Sequence, residues 1–138
     1  MAGTNIAMHH APGKAWWRKV CIGLEHEIPD NTFMNTEMPT FPWKRSRHAK
    51  GCGEEVDGVY QPTFHDLFEG NAEKNILPLV RVDWGSRDSI RQNALEAVKQ
   101  TCEALQMRYP NDGVDYSEIG KLVRAWMKAQ LPELIDPL

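Results

Sequence analysis

Two consecutive stretches with a helical pattern of apolar residues, in the C-terminal part of the sequence, constrain the fold more than any other feature. Apolar residues recur at helical spacing from Ser86 to Tyr109, and again from Asp115 to Pro132. Ser86 can cap the first helix, and Asp115 followed by Glu118 is the capping pattern that begins the second. Each helix has one apolar face, so both faces must be buried against the rest of the chain.

The earlier part of the chain predicts strands. Residues 14–28 alternate between apolar and polar side chains, and residues 77–84 alternate in the same way, which is typical of half-buried strands. A short strand is expected at 56–61, and Pro62 begins a helical turn that Gly70 ends. The chain therefore predicts an α+β fold, in which a small, mostly antiparallel sheet is packed on one face by the two C-terminal helices.

The 138 residues are long enough for one domain, and no linker or internal repeat divides them. Residues 1–13 are expected to form a flexible arm. Residues 29–58 contain three prolines and three glycines without a sustained period, which predicts a long irregular loop after the first strand. Loops of that length in compact domains are usually functional or disordered.

Composition excludes several classes of protein. The 16 Lys and Arg residues and 19 Asp and Glu residues give a net charge of -3, so no global positive field attracts nucleic acid or anionic lipid. No apolar run approaches the roughly 20 residues that span a bilayer. We therefore expect a soluble protein that is not associated with a membrane. Three cysteines are too few for a disulfide framework, which favours free thiols and a reducing, cytoplasmic compartment.

The long loop contains the strongest candidate for a binding surface. Aromatic, methionine and basic side chains concentrate between residues 33 and 52, and together they predict a face for a protein partner or a second copy of the chain. Wrapping of the same apolar side chains over the sheet is the alternative. The predicted contact residues are Phe33, Met38, Phe41, Trp43, Lys44, Arg45, Arg47 and Lys50.

Nucleic-acid binding is a second hypothesis for the same region. Between Trp43 and Lys50 an aromatic side chain that could stack on a base is followed by cations that could contact phosphates. Glu54, Glu55 and Asp57 come soon afterwards and would weaken the local positive field. The basic run could therefore pair internally with this acidic cluster.

Two Cys/His pairs suggest a zinc site. The residue types match a tetrahedral Cys2His2 set, although the spacing is loose. The four candidate ligands are Cys21, His26, His48 and Cys52. Cys21 and His26 point to opposite faces of a regular strand, so both could bind one ion only if Gly23 introduced a bulge. His9 and His10 could add ligands. The alternative to a zinc site is that the protein binds no cofactor.

Catalytic motifs are weak. Residues 83–87 predict a strand that leads through a glycine into a helix, where Ser86 and Arg87 could hold an anion and Asp83 could act as an acid or base. An ordinary helix cap with Arg87 paired to acidic side chains explains the same residues. A nucleophilic thiol at Cys52 near His48 is a further possibility, but no nucleotide-binding, serine hydrolase or metalloprotease motif is present.

We therefore expect a non-catalytic accessory protein or assembly subunit that acts through protein contacts of the 33–52 segment. The alternative is a nucleic-acid-associated protein that uses Trp43 to Lys50, with a structural zinc holding the loop. The third hypothesis is a small enzyme with an anion site at Ser86 and Arg87.

Overall fold

A computed structural model describes residues 6–138, with two small sheets, six helices and one short 3-10 helix. The strands are β1 (Ile6–His10), β2 (Thr40–Lys44), β3 (Glu55–Val56) and β4 (Val59–Tyr60). The helices are α1 (Lys14–Gly23), α2 (Asn31–Glu37), α3 (Arg45–His48), α4 (Phe64–Glu69), α5 (Arg87–Arg108) and α6 (Tyr116–Gln130), and the 3-10 helix is Ala72–Lys74.

The predicted α+β class is confirmed, and its strands fall in two separate antiparallel pairs. In the first pair β1 runs against β2, with Ile6 opposite Lys44 and His10 opposite Thr40. The second pair is the small β3–β4 hairpin. No helix among residues 6–138 is long and apolar enough to cross a membrane.

The two C-terminal helices form as the sequence predicts and pack on each other. The Ser86 hydroxyl accepts a hydrogen bond from the Ser89 N–H, and the Asp115 carboxylate accepts one from the Glu118 N–H. At the contact between α5 and α6, a Cβ on Gly120 would lie 2.9 Å from the Cβ of Cys102. Glycine at position 120 therefore sets how closely the two helices approach, and Cys102 is a buried core residue at this contact.

The predicted first strand is wrong, because residues 14–23 form helix α1. Trp16, Val20 and Leu24 recur every four residues, a spacing that satisfies a two-residue period and a helical period alike. Trp17 and Cys21 decide between them, because they are buried beside the first set, as one face of a helix requires. The two adjacent tryptophans consequently enter the same core and do not lie on opposite sides.

Residues 29–58 contain more regular structure than the predicted loop. Helix α2 begins after Asp30, whose carboxylate accepts a hydrogen bond from the Phe33 N–H. Strand β2 and helix α3 follow. The partner of β2 is β1, which lies inside the stretch 1–13 predicted as an arm, and residues 1–5 of that arm lie outside the described residues.

Residues 77–84 form no strand and pair with none in the described part of the chain, so the predicted strand is wrong here too. The predicted alternation of faces is correct, because Val80, Val82 and Trp84 pack against the core while Arg81 and Asp83 are exposed. The short strands before Pro62 and the helical turn after it form as predicted.

Asp66 organises the middle of the chain. Its buried carboxylate accepts four hydrogen bonds, from the Gly51 N–H, the Tyr60 hydroxyl, the Thr63 N–H and the Asn71 amide. Burial alone would raise the pKa of Asp66, but these donors outweigh it and lower the pKa. One side chain therefore holds α4, the β3–β4 hairpin and the turn after α3 together.

Asp66→Asn should destabilise the protein by about 3 kcal/mol, because an amide presents its own N–H groups to two buried donors. The free energy of unfolding in urea measures the effect. Glu73→Gln, at an exposed residue of the 3-10 helix, is the matched control, with an expected change below about 0.5 kcal/mol. Equal stability of the two variants would contradict the role given to Asp66.

Candidate functional site

The basic segment after β2 is divided between the interior and the surface, and Arg47 lies in the interior. Its Nε is 2.8 Å from Oδ2 of Asp112, and its Nη1 is 3.3 Å from Oε2 of Glu54. The guanidinium also lies 3.9 Å from the ring centroid of Tyr109. These contacts compensate the charge of Arg47, so it supports the fold and is not available to a partner.

The Asp112 carboxylate is the centre of this network. Oδ2 also accepts a hydrogen bond of 2.6 Å from the Tyr116 hydroxyl. Burial by itself raises the pKa of Asp112, but the hydrogen bonds from Arg47 and Tyr116 outweigh it and lower the pKa. The predicted pairing of the basic run with acidic residues thus occurs for Arg47, through Glu54 and also through a residue 65 positions away in the sequence.

The neighbouring cations have a different environment. Arg45 and Lys50 are exposed, Lys44 is half-buried, and none of them forms an ion pair with another described residue. Lys50 follows α3, near enough to Glu69 to lower the pKa of that carboxyl after the larger effect of His65. Lys44 and Arg45 lie at the end of β2, beside an apolar surface.

That surface is the outer face of the β1–β2 ribbon. Residues directly opposite each other in an antiparallel pair share a face, so the register places Ile6, Met8, Pro42 and Lys44 together. Ile6 is 53% exposed and Met8 is 62% exposed. The outer face therefore combines exposed apolar side chains with Lys44, which forms no ion pair among the described residues and lowers the pKa of Asp112 less than burial raises it and less than Arg47 and Tyr116 lower it. Arg45 follows immediately.

The inner face of the ribbon packs onto the protein and includes several predicted contact residues. Trp43 is 1% exposed, and its ring contacts those of Phe64 and Tyr116. Phe41 is partly buried against the core, and Met38, just before the ribbon, is buried. For these three side chains the alternative interpretation applies, in which the apolar residues of the 33–52 segment cover the protein's own core and do not face a partner.

A histidine cluster lies under the ribbon. The rings of His9 and His48 stack with centroids 4.3 Å apart, and His65 meets His48 edge-on at 4.6 Å. Nε2 of His48 is 3.2 Å from the backbone oxygen of His10. Burial, followed by the nearby His65 and His9, lowers the pKa of His48 to about 3, so the ring is neutral at physiological pH.

A cavity of about 300 Å³ opens beside this cluster. His10, His48, His65 and Glu69 line it together with Lys14. Nδ1 of His65 is 2.7 Å from Oε2 of Glu69, an arrangement that orients an imidazole for proton transfer. The residues lining the cavity include no Ser, Thr or Cys that could act as a nucleophile beside this pair.

The four predicted zinc ligands are not brought together. Cys21 and His26 line a groove between α1, α2 and the end of α6, whereas His48 belongs to the histidine cluster. Cys52 is partly buried in the turn after α3. Within residues 6–138, no three His, Cys, Asp or Glu side chains are placed so that they could hold a metal ion.

The groove has a volume of about 440 Å³ and includes one predicted contact residue. Phe33, which is 38% exposed, lines it together with Ile28 and the buried Cys21. Burial raises the pKa of the Cys21 thiol to about 11, so this sulfur is protonated and a poor nucleophile. Phe33 is therefore part of this groove and separate from the ribbon face.

The predicted anion site is occupied by contacts within the protein. Ser86 caps α5, and Nη2 of Arg87 lies 3.2 Å from both carboxylate oxygens of Glu133. Glu25 approaches the same guanidinium at 3.8 Å. Asp83 accepts a hydrogen bond from the Gly85 N–H and does not pair with Arg87. The ordinary helix cap with paired Arg87 therefore explains these residues.

Several residues of these sites were not found by sequence reasoning. The outer-face pair Ile6 and Met8 alternates with Ala7 and His9, a short strand pattern within the assumed arm. Asp66 follows Thr63 by three residues, which is a helix-capping spacing that could have been recognised. Nothing local to Asp112 indicates its pairing with Arg47, because that contact is distant in sequence.

Comparison with known proteins gives no relative: the chain matches no protein-family model, no curated protein and no solved structure.

The two arginines of α3 should differ sharply in their effect on stability. Arg47→Ala leaves Asp112 largely buried without its cation, and we expect a loss of about 3 kcal/mol. Arg45→Ala removes an exposed, unpaired side chain and should change stability by less than about 0.5 kcal/mol. Urea unfolding of both variants measures the difference, and equal losses would contradict the division of the basic segment.

The histidine cluster should make stability fall on mild acidification. His48 has a pKa of about 3 in the folded protein and an ordinary value of 6.5, so the unfolded chain binds the proton first. Stability is therefore fully present above pH 6.5 and is lost as the pH falls towards 3. Burial lowers the pKa of His9 and His10 as well, so these two residues also contribute to the loss of stability as the pH falls.

We expect a loss of about 1 to 2 kcal/mol between pH 7 and pH 5 in urea unfolding. His48→Phe keeps a ring among its aromatic neighbours but cannot be protonated, so its stability should depend less on pH. If the free energy of unfolding of His48→Phe depends on pH as steeply as that of the wild-type protein, groups other than His48 cause the loss of stability.

Proposed function

We propose that the protein is a non-catalytic accessory protein that binds a protein partner through the outer face of the β1–β2 ribbon. The observation that supports this most is the combination of exposed Ile6 and Met8 with the unpaired cations of Lys44 and Arg45. An apolar patch with a charged border is typical of protein contact surfaces.

Charge favours an acidic partner over a second copy of the chain. In a twofold contact both copies present the same face, so Lys44 and Arg45 would meet no carboxylate from the ribbon of the other copy. A partner segment that combines carboxylates with apolar side chains would complement both parts of the face. Assembly into a homo-oligomer through the ribbon is therefore the weaker form of the proposal.

Nucleic-acid binding through residues 43–50 is the other candidate, and two observations weaken it. Trp43 is 1% exposed, so its ring is not available to stack on a base. The charge of Arg47 is already compensated by Asp112 and Glu54. The remaining cations form a small patch, which suits a rim of positive charge around an apolar contact better than a path along a phosphate backbone.

A charge-reversal experiment tests the proposal. The tagged wild-type protein, the Lys44→Glu/Arg45→Glu double variant and the Lys121→Glu variant are used as baits in an extract of cells that make the protein. Lys121 is an exposed cation on α6 and serves as the matched control. We expect at least one protein that the wild type and Lys121→Glu retain and the double variant retains at least about tenfold less.

Nuclease treatment of the extract and a salt series separate the two candidates. A retained protein that survives nuclease treatment supports a protein partner. Capture of nucleic acid by the wild type, with steep salt dependence and loss in the double variant, would favour the alternative. Equal retention of every protein by all three baits would contradict binding through the ribbon.

A further inference from the structure

The two edges of the β1–β2 ribbon are not equivalent. Ala11 N–H donates to the Pro39 oxygen, so this pair is hydrogen-bonded across the continuation of the ribbon. Hydrogen-bonded pairs alternate with non-hydrogen-bonded ones in an antiparallel ladder. The register therefore makes 9–41 and 7–43 hydrogen-bonded pairs, whereas 8–42 and 6–44 are not.

This register blocks the centre of the outer edge of β2. At a non-hydrogen-bonded position the backbone N–H and C=O point away from the neighbouring strand. Residue 42 is in that position and is a proline, so the outer edge of β2 lacks a donor at its centre. Proline on an edge strand is a common way in which proteins prevent an additional strand from pairing.

The outer edge of β1 is open along Ile6 and Met8. The N–H and C=O groups of both residues point away from β2 and pair with no other backbone among the described residues. At the other end of β1, His48 occupies the edge because its Nε2 lies 3.2 Å from the His10 oxygen. The open part of the edge is therefore bounded at His10.

We propose that an extended segment of the protein partner adds to the ribbon as a third strand along Ile6 and Met8, with apolar residues alternating with acidic ones. This inference rests on the proposed function. Side chains on the outer face of the added strand would pack beside Ile6 and Met8. The alternate, acidic side chains would lie near Arg45, which follows β2 at the border of the outer face and is close enough to His9 to lower the pKa of that ring, after the larger effects of burial and His65.

A peptide of defined sequence tests this mode of binding. The probe is a fluorescent, end-blocked octapeptide in which Val and Glu alternate, and the control probe alternates Val and Lys. Fluorescence anisotropy should show saturable binding of the first probe and at least about tenfold weaker binding of the second. No binding of the Val–Glu probe to the wild-type protein would overturn the strand-addition proposal.

Met8→Pro removes the outward N–H without removing a hydrogen bond to β2, because residue 8 lies opposite Pro42 at a non-hydrogen-bonded position. We expect the Val–Glu probe to bind at least about tenfold more weakly to Met8→Pro than to Met8→Ala, which controls for loss of the side chain. Circular dichroism confirms that both variants fold. Equal binding by these two variants would overturn the third-strand geometry.

Two measurements keep the test independent of protein variants. In the wild-type protein, saturating probe should slow hydrogen exchange of the Ile6 and Met8 amides, whereas unchanged exchange would overturn the proposal. A probe with alternate amides N-methylated along one edge should bind at least about tenfold more weakly.

If the bait experiment succeeds and the Ile6 and Met8 amides stay unprotected, the proposed function stands and strand addition is wrong. If the Lys44→Glu/Arg45→Glu variant loses no partner, the proposed function itself is wrong.

Discussion

The contact between Arg47 and Asp112 is the interaction on which the position of the ribbon depends. Arg47 lies three residues after β2, and Asp112 lies in the turn between α5 and α6, so the pair joins the N-terminal half of the chain to its C-terminal helices. Tyr109, which directly follows α5, contacts the guanidinium, and Tyr116, the first residue of α6, contacts the carboxylate. These additional contacts offset the cost of burying the pair, which charge attraction alone often does not.

Helix geometry explains why one short basic segment has two roles. Arg45 and Arg47 are both in the single turn α3, and side chains two residues apart in a helix point about 200° apart around its axis. When Arg47 is directed at Asp112, Arg45 is necessarily directed at the solvent. A count of cations in the sequence cannot make this distinction, because it depends on a partner 65 residues away.

Local signals in the sequence predicted the elements that are stabilised locally. Helices α5 and α6 have caps, long apolar stripes and clear ends, and they form where expected. Strands depend on a neighbour that the local sequence does not identify. Nothing near β2 in the sequence indicates β1 as its partner, and residues 77–84 alternate as a strand would but pair with no strand among the described residues. For α1, the four-residue spacing fits both periods, and only the tertiary core selects the helix.

The same nonlocal packing defines the open edge of the ribbon. A two-stranded sheet has two unpaired edges, which are usually protected against unwanted pairing. Here Pro42 interrupts one edge and His48 covers the other at His10, so that Ile6 and Met8 form the open part of the β1 edge among the described residues. The His48 contact belongs to the cluster whose burial keeps that ring neutral. Because His48 both covers the end of this edge and packs within the cluster, the limit of the open edge and the stability of the fold depend on one group of side chains.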